Sequence, residues 1–78
     1  MNLEEKVLAI FQANTEDKTG VTLTSDLRRE LRLDSFGILM IINAIEDAFG
    51  IAVEDVDFTG ANTVADVVAL LHSKYHCH

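Results

Sequence analysis

Apolar residues recur at helical spacing in three separate stretches of this chain. Leu3, Val7, Ile10 and Phe11 fall at i, i+4, i+7 and i+8, one face of a helix predicted over about Asn2 to Asn14. Asn2 followed by Glu5 resembles a capping box, with Asn in place of the usual Ser or Thr. Ile38, Ile41, Ile42, Ile45 and Phe49 sit at i, i+3, i+4, i+7 and i+11. That is the core stripe of a second helix predicted from Ser35 to Phe49, with Gly50 well suited to the C′ position. Val64, Val67, Val68, Leu71 and Tyr75 repeat the spacing in a last helix that begins after Thr63, where Thr63 and Asp66 make a near capping box.

The segments between these stripes lack periodicity. Thr15 to Leu33 reads as a long connection, because Thr19, Gly20, Thr22, Thr24 and Ser25 are poor helix formers. Val21, Leu23, Leu27 and Leu31 are expected to pin it to the core, and Ser25 to cap a short turn through Leu31. Long ordered loops in small domains are often functional. Ile51 to Asn62 is irregular, with Ile51 and Val53 as anchors and a short helix near Asp55 to Thr59 ended by Gly60. The expectation is all-α: a four-helix bundle with three longer helices, one short helix and a long first loop, forming a single domain over residues 1–78.

The second helix carries a further feature. Opposite its core stripe lie Phe36, Leu39, Met40, Asn43 and Asp47 at the same spacing, so its first two turns are apolar on both sides. A surface helix normally keeps its outer face polar, and an exposed apolar cluster marks an interaction site. The alternative is that these side chains help fill the core.

Charge narrows the partners. The formal charge of −7 argues against nucleic acid and anionic membrane surfaces and favours partners with basic patches. No apolar run exceeds the length of Ile38 to Ile42, far too short to insert into a bilayer. Met1 to Phe11 carries Glu4 and Glu5 and lacks a signal-peptide layout. The single cysteine, Cys77, permits no internal disulfide, so a soluble, cytoplasmic protein is the expectation.

Candidate chemistry concentrates at Leu33-Asp34-Ser35-Phe36-Gly37, where the long connection becomes the second helix. A helix start exposes N–H groups and the positive end of the dipole, and so can hold an anion. Ser35 is therefore placed either as an ordinary cap or as the bearer of a phosphodiester. Asp34 can cap the helix and help orient the serine. Elsewhere, His72 and His76 have a metal-ligand spacing and Cys77 and His78 follow, but a chain end is expected to fray and nothing upstream completes a site. Cys77 reads as a reactive exposed thiol or an inert one. Glu54, Asp55 and Asp57 read as a solvated surface and do not match a calcium loop. No metal is assigned.

Leu33-Asp34-Ser35-Phe36, the apolar-striped helix after it, Glu46-Asp47-Ala48-Phe49-Gly50-Ile51 and Thr63-Val64-Ala65-Asp66-Val67-Val68 together resemble the acyl carrier protein family over nearly the whole chain. The resemblance implies a bundle of acyl-carrier type with Ser35 as the attachment point of covalent 4′-phosphopantetheine, and Asp34 in support. A phosphopantetheinyl transferase would move that group from coenzyme A. Acyl groups would ride on it as thioesters to partner enzymes of fatty-acid, polyketide or specialised lipid synthesis, and the protein itself would be no enzyme. Docking is expected through Phe36, Leu39, Met40, Asn43, Glu46 and Asp47, to acyl- or aminoacyl-loading ligases and acyl-transfer enzymes with basic or apolar patches. Cargo is expected to be shielded by Ile51, Val53, Val56 and Phe58, with Gly50 and Gly60 allowing the space to open. A monomer suits a carrier that must visit several enzymes.

The chain departs from the family pattern near the serine. Phe36 replaces the common Leu, and Gly37 and Met40 stand where housekeeping fatty-acid carriers usually have acidic residues. The Asp-Ser-x-Gly form also looks like that of D-alanyl and related aminoacyl carriers, which keeps an aminoacyl cargo open. An unmodified helical interaction module is a second alternative. A Ser35 nucleophile is disfavoured, since its base would have to come from the C-terminal histidines and no oxyanion-hole motif is evident.

Overall fold

The computed structural model describes residues 2–15 and 20–78; Thr19 of the expected connection lies outside them. Four helices follow in order: α1 (Leu3–Ala13), α2 (Ser35–Phe49), α3 (Asp55–Thr59) and α4 (Val64–Ser73). The described residues contain no strand, only an isolated antiparallel bridge between Asp26 and Thr63. The fold is all-α, as the periodicity implies.

Each long helix is set by its cap and its stripe. Asn2 Oδ1 accepts the Glu5 N–H at 2.8 Å, which makes Asn2 the cap of α1. Leu3, Val7 and Phe11 are buried, and α1 packs against α2 and α4. In α2, Ile41, Ile42 and Ile45 are buried, while Ile38 and Phe49 are half-buried against the core. Gly50 closes α2 at φ 65°, a left-handed conformation that costs glycine little. In α4, Thr63 Oγ1 and the Asp66 carboxylate complete a reciprocal capping box. Asp66 also accepts the Asn62 N–H at 2.9 Å, and these amide bonds from Asn62 and Thr63 hold its carboxyl below the usual range.

The long connection is stitched to the bundle. The Leu27 N–H donates to Asn62 O at 2.9 Å, Val64 N–H to Ser25 O at 3.2 Å and Ala65 N–H to Leu23 O at 2.8 Å. Leu27 and Leu31 enter the core, whereas Val21 and Leu23 are half-buried against it. Its turn is capped by Asp26, which corrects the expectation for Ser25. Asp26 Oδ1 accepts the Arg28 and Arg29 N–H groups at 2.9 and 2.8 Å. The buried Ser25 hydroxyl instead accepts the Thr22 N–H at 3.0 Å. A carboxylate one residue further on reaches two amides at once and is the stronger acceptor. The Leu33 N–H then bonds Leu27 O at 3.0 Å, which delivers Leu33 and Asp34 to the start of α2.

The chain end folds back onto α4, where the sequence suggests a frayed tail. His76 adopts φ 57°, and the Cys77 N–H returns to Leu71 O at 2.9 Å. Cys77 is only 8% exposed, and burial pushes its thiol pKa up, with Lys6 opposing, so it is no exposed reactive thiol.

Candidate functional site

The start of α2 is built by three neighbouring residues. Leu33 packs half-buried against the core. Asp34 is extended, and its Oδ1 accepts the Gly37 N–H at 2.8 Å, satisfying one of the open donors of the first turn. Ser35 is the first helical residue and is exposed, and its hydroxyl bonds to no described residue. Gly37 fits closely: a Cβ there would lie 3.0 Å from Leu33 Cδ2 and 3.4 Å from Asp34 Oδ1, so the end of the Leu33 side chain would have to give by a few tenths of an ångström. Its bare backbone lets Leu33 and the Asp34 cap close over the helix start.

Beside Ser35 runs a groove of about 490 Å³. Its apolar walls are Leu33, Ile38, Leu39, Ile42 and Phe58, so it lies between the first loop, α2 and α3. Asp34, Ser35 and Arg28 line it on the loop and α2 side, and Asp55 and Thr59 on the α3 side. Of the four residues expected to shield cargo, only Phe58 lines this groove. Ile51 is half-buried against the core, Val53 is buried in it, and Val56 stands 66% exposed. The reason is the register of α3: five residues make little more than one turn, so Phe58 turns inward and Val56 outward.

The second face of α2 is open. Phe36 is 70% exposed, Leu39 45% and Met40 42%, and Asn43 and Asp47 are also exposed. Glu46 differs from the others. It is half-buried, and its Oε2 accepts the Val53 N–H at 2.9 Å, so its carboxylate braces the loop after α2.

Two contributions do not follow from the sequence pattern. Arg28 reaches the groove, and its Nη1 donates to Ala61 O at 2.9 Å. The available signal was the placement of the chain's only three arginines at 28, 29 and 32, just before the serine. Asp57 reads from the sequence as a solvated surface charge, yet it accepts hydrogen bonds from Lys74 Nζ at 2.9 and 2.8 Å and from the Tyr75 hydroxyl. Tyr75 in turn accepts the Glu54 N–H at 3.1 Å, so α3 is tied to the end of α4. At the chain end, His72 Nδ1 lies 3.3 Å from Cys77 O, and the described residues hold no group of three or more side chains suited to a metal ion.

These donors suit a phosphate-linked arm. The site offers an exposed serine hydroxyl and Ser35 and Phe36 amides unbonded to described residues. An arginine and an apolar groove lie beside them. The family model described as "Phosphopantetheine attachment site" matches residues 5–71. The chain is 30% identical over 76 residues to an acyl carrier protein of an Exiguobacterium species, covering 91% of this chain and 96% of that one. It is 38% identical over 69 residues to an acyl carrier protein of Rickettsia bellii, covering 86% and 84%. A solved structure from Mycobacterium tuberculosis, assigned as an acyl carrier protein, superposes with a TM-score of 0.76 at 31% identity, covering 86% of this chain and 90% of that one. The chain belongs to the acyl carrier protein family. It is a carrier rather than a catalyst, and its cofactor is 4′-phosphopantetheine.

Proposed function

We propose that residues 1–78 act as one carrier domain, that Ser35 bears the 4′-phosphopantetheine, and that the groove beside it shelters cargo. The observation that carries this reading is the exposed, unbonded Ser35 hydroxyl on the first turn of α2, at the mouth of an apolar groove. The attached group supplies a distal thiol on which acyl groups are held as thioesters. Asp34 fixes the first turn so that the hydroxyl is presented to a phosphopantetheinyl transferase. Leu33, Ile38, Leu39, Ile42 and Phe58 remove an apolar load from water. Phe36, Met40, Asn43 and Asp47, with Leu39 at the rim, form the face that meets loading and acyl-transfer enzymes.

That face is greasier and less acidic than in housekeeping fatty-acid carriers, which supports a dedicated partner set in specialised lipid or polyketide-like synthesis, with the protein working as a cytoplasmic monomer. An aminoacyl cargo is the second reading. The Asp34-Ser35-Phe36-Gly37 form supports it, because it resembles that of D-alanyl and related aminoacyl carriers.

The test is intact mass before and after incubation with coenzyme A and a broad-specificity phosphopantetheinyl transferase. The expected result is a gain of one phosphopantetheine that Ser35→Ala abolishes. A folded protein that gains no mass would shift the weight to an unmodified interaction module or to a carrier served by a dedicated transferase.

A further inference from the structure

All three arginines of this strongly acidic chain lie within residues 28–32. Arg28 is the one that lines the groove at Ser35. Its Nη1 donates to Ala61 O at 2.9 Å, across 33 positions of sequence, so the side chain spans from the first loop to the link between α3 and α4. That bond holds the guanidinium in place without using it up. A guanidinium has five N–H donors, and the other four have no bond to any described residue. No carboxylate among the described residues lies within ion-pair distance of it, although the Asp26 carboxylate, bonded to the Arg28 amide, feels its charge. Asp34 and Asp55 line the same groove, so an anion entering there would meet two carboxylates. Arg28 and the open amides at the start of α2 are what offset them.

We propose that Arg28 is a positioning residue that holds an oxyanion in this groove, taken from the phosphodiester of the arm or from a carboxylate on the cargo. The proposal rests on the attachment of that arm at Ser35. A planar guanidinium fork matches both oxyanions, and an apolar acyl chain gives it nothing to bind. An oxyanion on cargo would make the groove selective for acids with a second carboxylate.

The test uses the full chain, 15N-labelled, in apo, phosphopantetheinylated, butyryl-loaded and succinyl-loaded forms, each checked by intact mass. The readout is the Nε–Hε resonance of Arg28 by NMR. A shift with slowed proton exchange in the phosphopantetheinylated form assigns the phosphodiester as the oxyanion. A response confined to the succinyl form assigns the cargo carboxylate, with butyryl as the uncharged control. An unchanged resonance in all three loaded forms of confirmed mass overturns the role of Arg28 and leaves the Ser35 reading intact; an absent mass gain overturns both. Arg28→Gln, which removes the guanidinium, should abolish any loading-dependent change in the 31P resonance of the arm, and Arg28→Lys should restore it in part. A 31P resonance that is the same in the wild type and Arg28→Gln would exclude the phosphodiester as the partner.

Discussion

Asp34 shows how one side chain can prepare a site. Its Oδ1 on the Gly37 amide fixes the first turn on which Ser35 is presented. Asp34→Ala should therefore destabilise the protein by about 1 kcal/mol, and Asp34→Asn, still a good cap, should recover most of that loss. Urea denaturation of the three proteins checks it, and equal midpoints would count against the cap. Asp34 and Ser35 can be read from the sequence because a cap and the helix it starts are adjacent in the chain. Arg28 cannot be read that way. A loop arginine is ordinarily a solvated charge, and its placement here depends on Ala61, far away in sequence.

Among the elements, α3 depends most on its surroundings. Five residues cannot sustain a helix in water, so α3 persists through Phe58 in the core and Asp57 on Lys74 and Tyr75. Hydrogen bonds from Lys74 and then Tyr75 hold the Asp57 carboxyl below its usual range, and the same carboxylate pushes Lys74 and Tyr75 up. Asp57 is depressed on folding, so its contribution is full above the ordinary carboxylate pKa and is lost as pH falls through the folded value, below about pH 4. Asp66 acts in the same direction. Lys74 and Tyr75 are raised, so their contribution is full below their ordinary values and lost as pH rises past about 10. Asp57→Asn should speed amide exchange in α3 more than in α1 at neutral pH and should flatten the acid dependence of that exchange. Equal exchange in variant and wild type would mean that Phe58 alone holds α3. Since α3 carries Phe58, Asp55 and Thr59 into the groove, the same variant should load a bulky acyl group more readily.

Across the whole molecule, charge and apolar surface are unevenly spread. The chain carries −7, yet the first turn of α2 has no acidic side chain and exposes Phe36, Leu39 and Met40. Phe36→Ser should leave stability within about 0.5 kcal/mol, because the ring is already exposed, while slowing transfer to the cognate enzyme. Met40→Glu should weaken docking in the same way. Unchanged transfer kinetics in both would remove this face from the docking surface. By contrast, Phe11→Ala, in the core shared by α1, α2 and α4, should cost about 3–5 kcal/mol in the same denaturation series.

The helices, their caps and the serine are legible in the chain alone, because periodicity, capping and the loop-to-helix transition are written in residues a few positions apart. The short helix at Asp55–Thr59 and the stops at Gly50 and Gly60 belong to the same local chemistry. Tertiary structure decided what surrounds the serine. It brought Phe58 to the groove and left Val56 outside, set Glu46 on the Val53 amide, turned Asp57 from a surface charge into the tie between α3 and α4, and buried Cys77. Each of these depends on which turn of one element meets another, and the contact that fixes it forms only when distant segments pack.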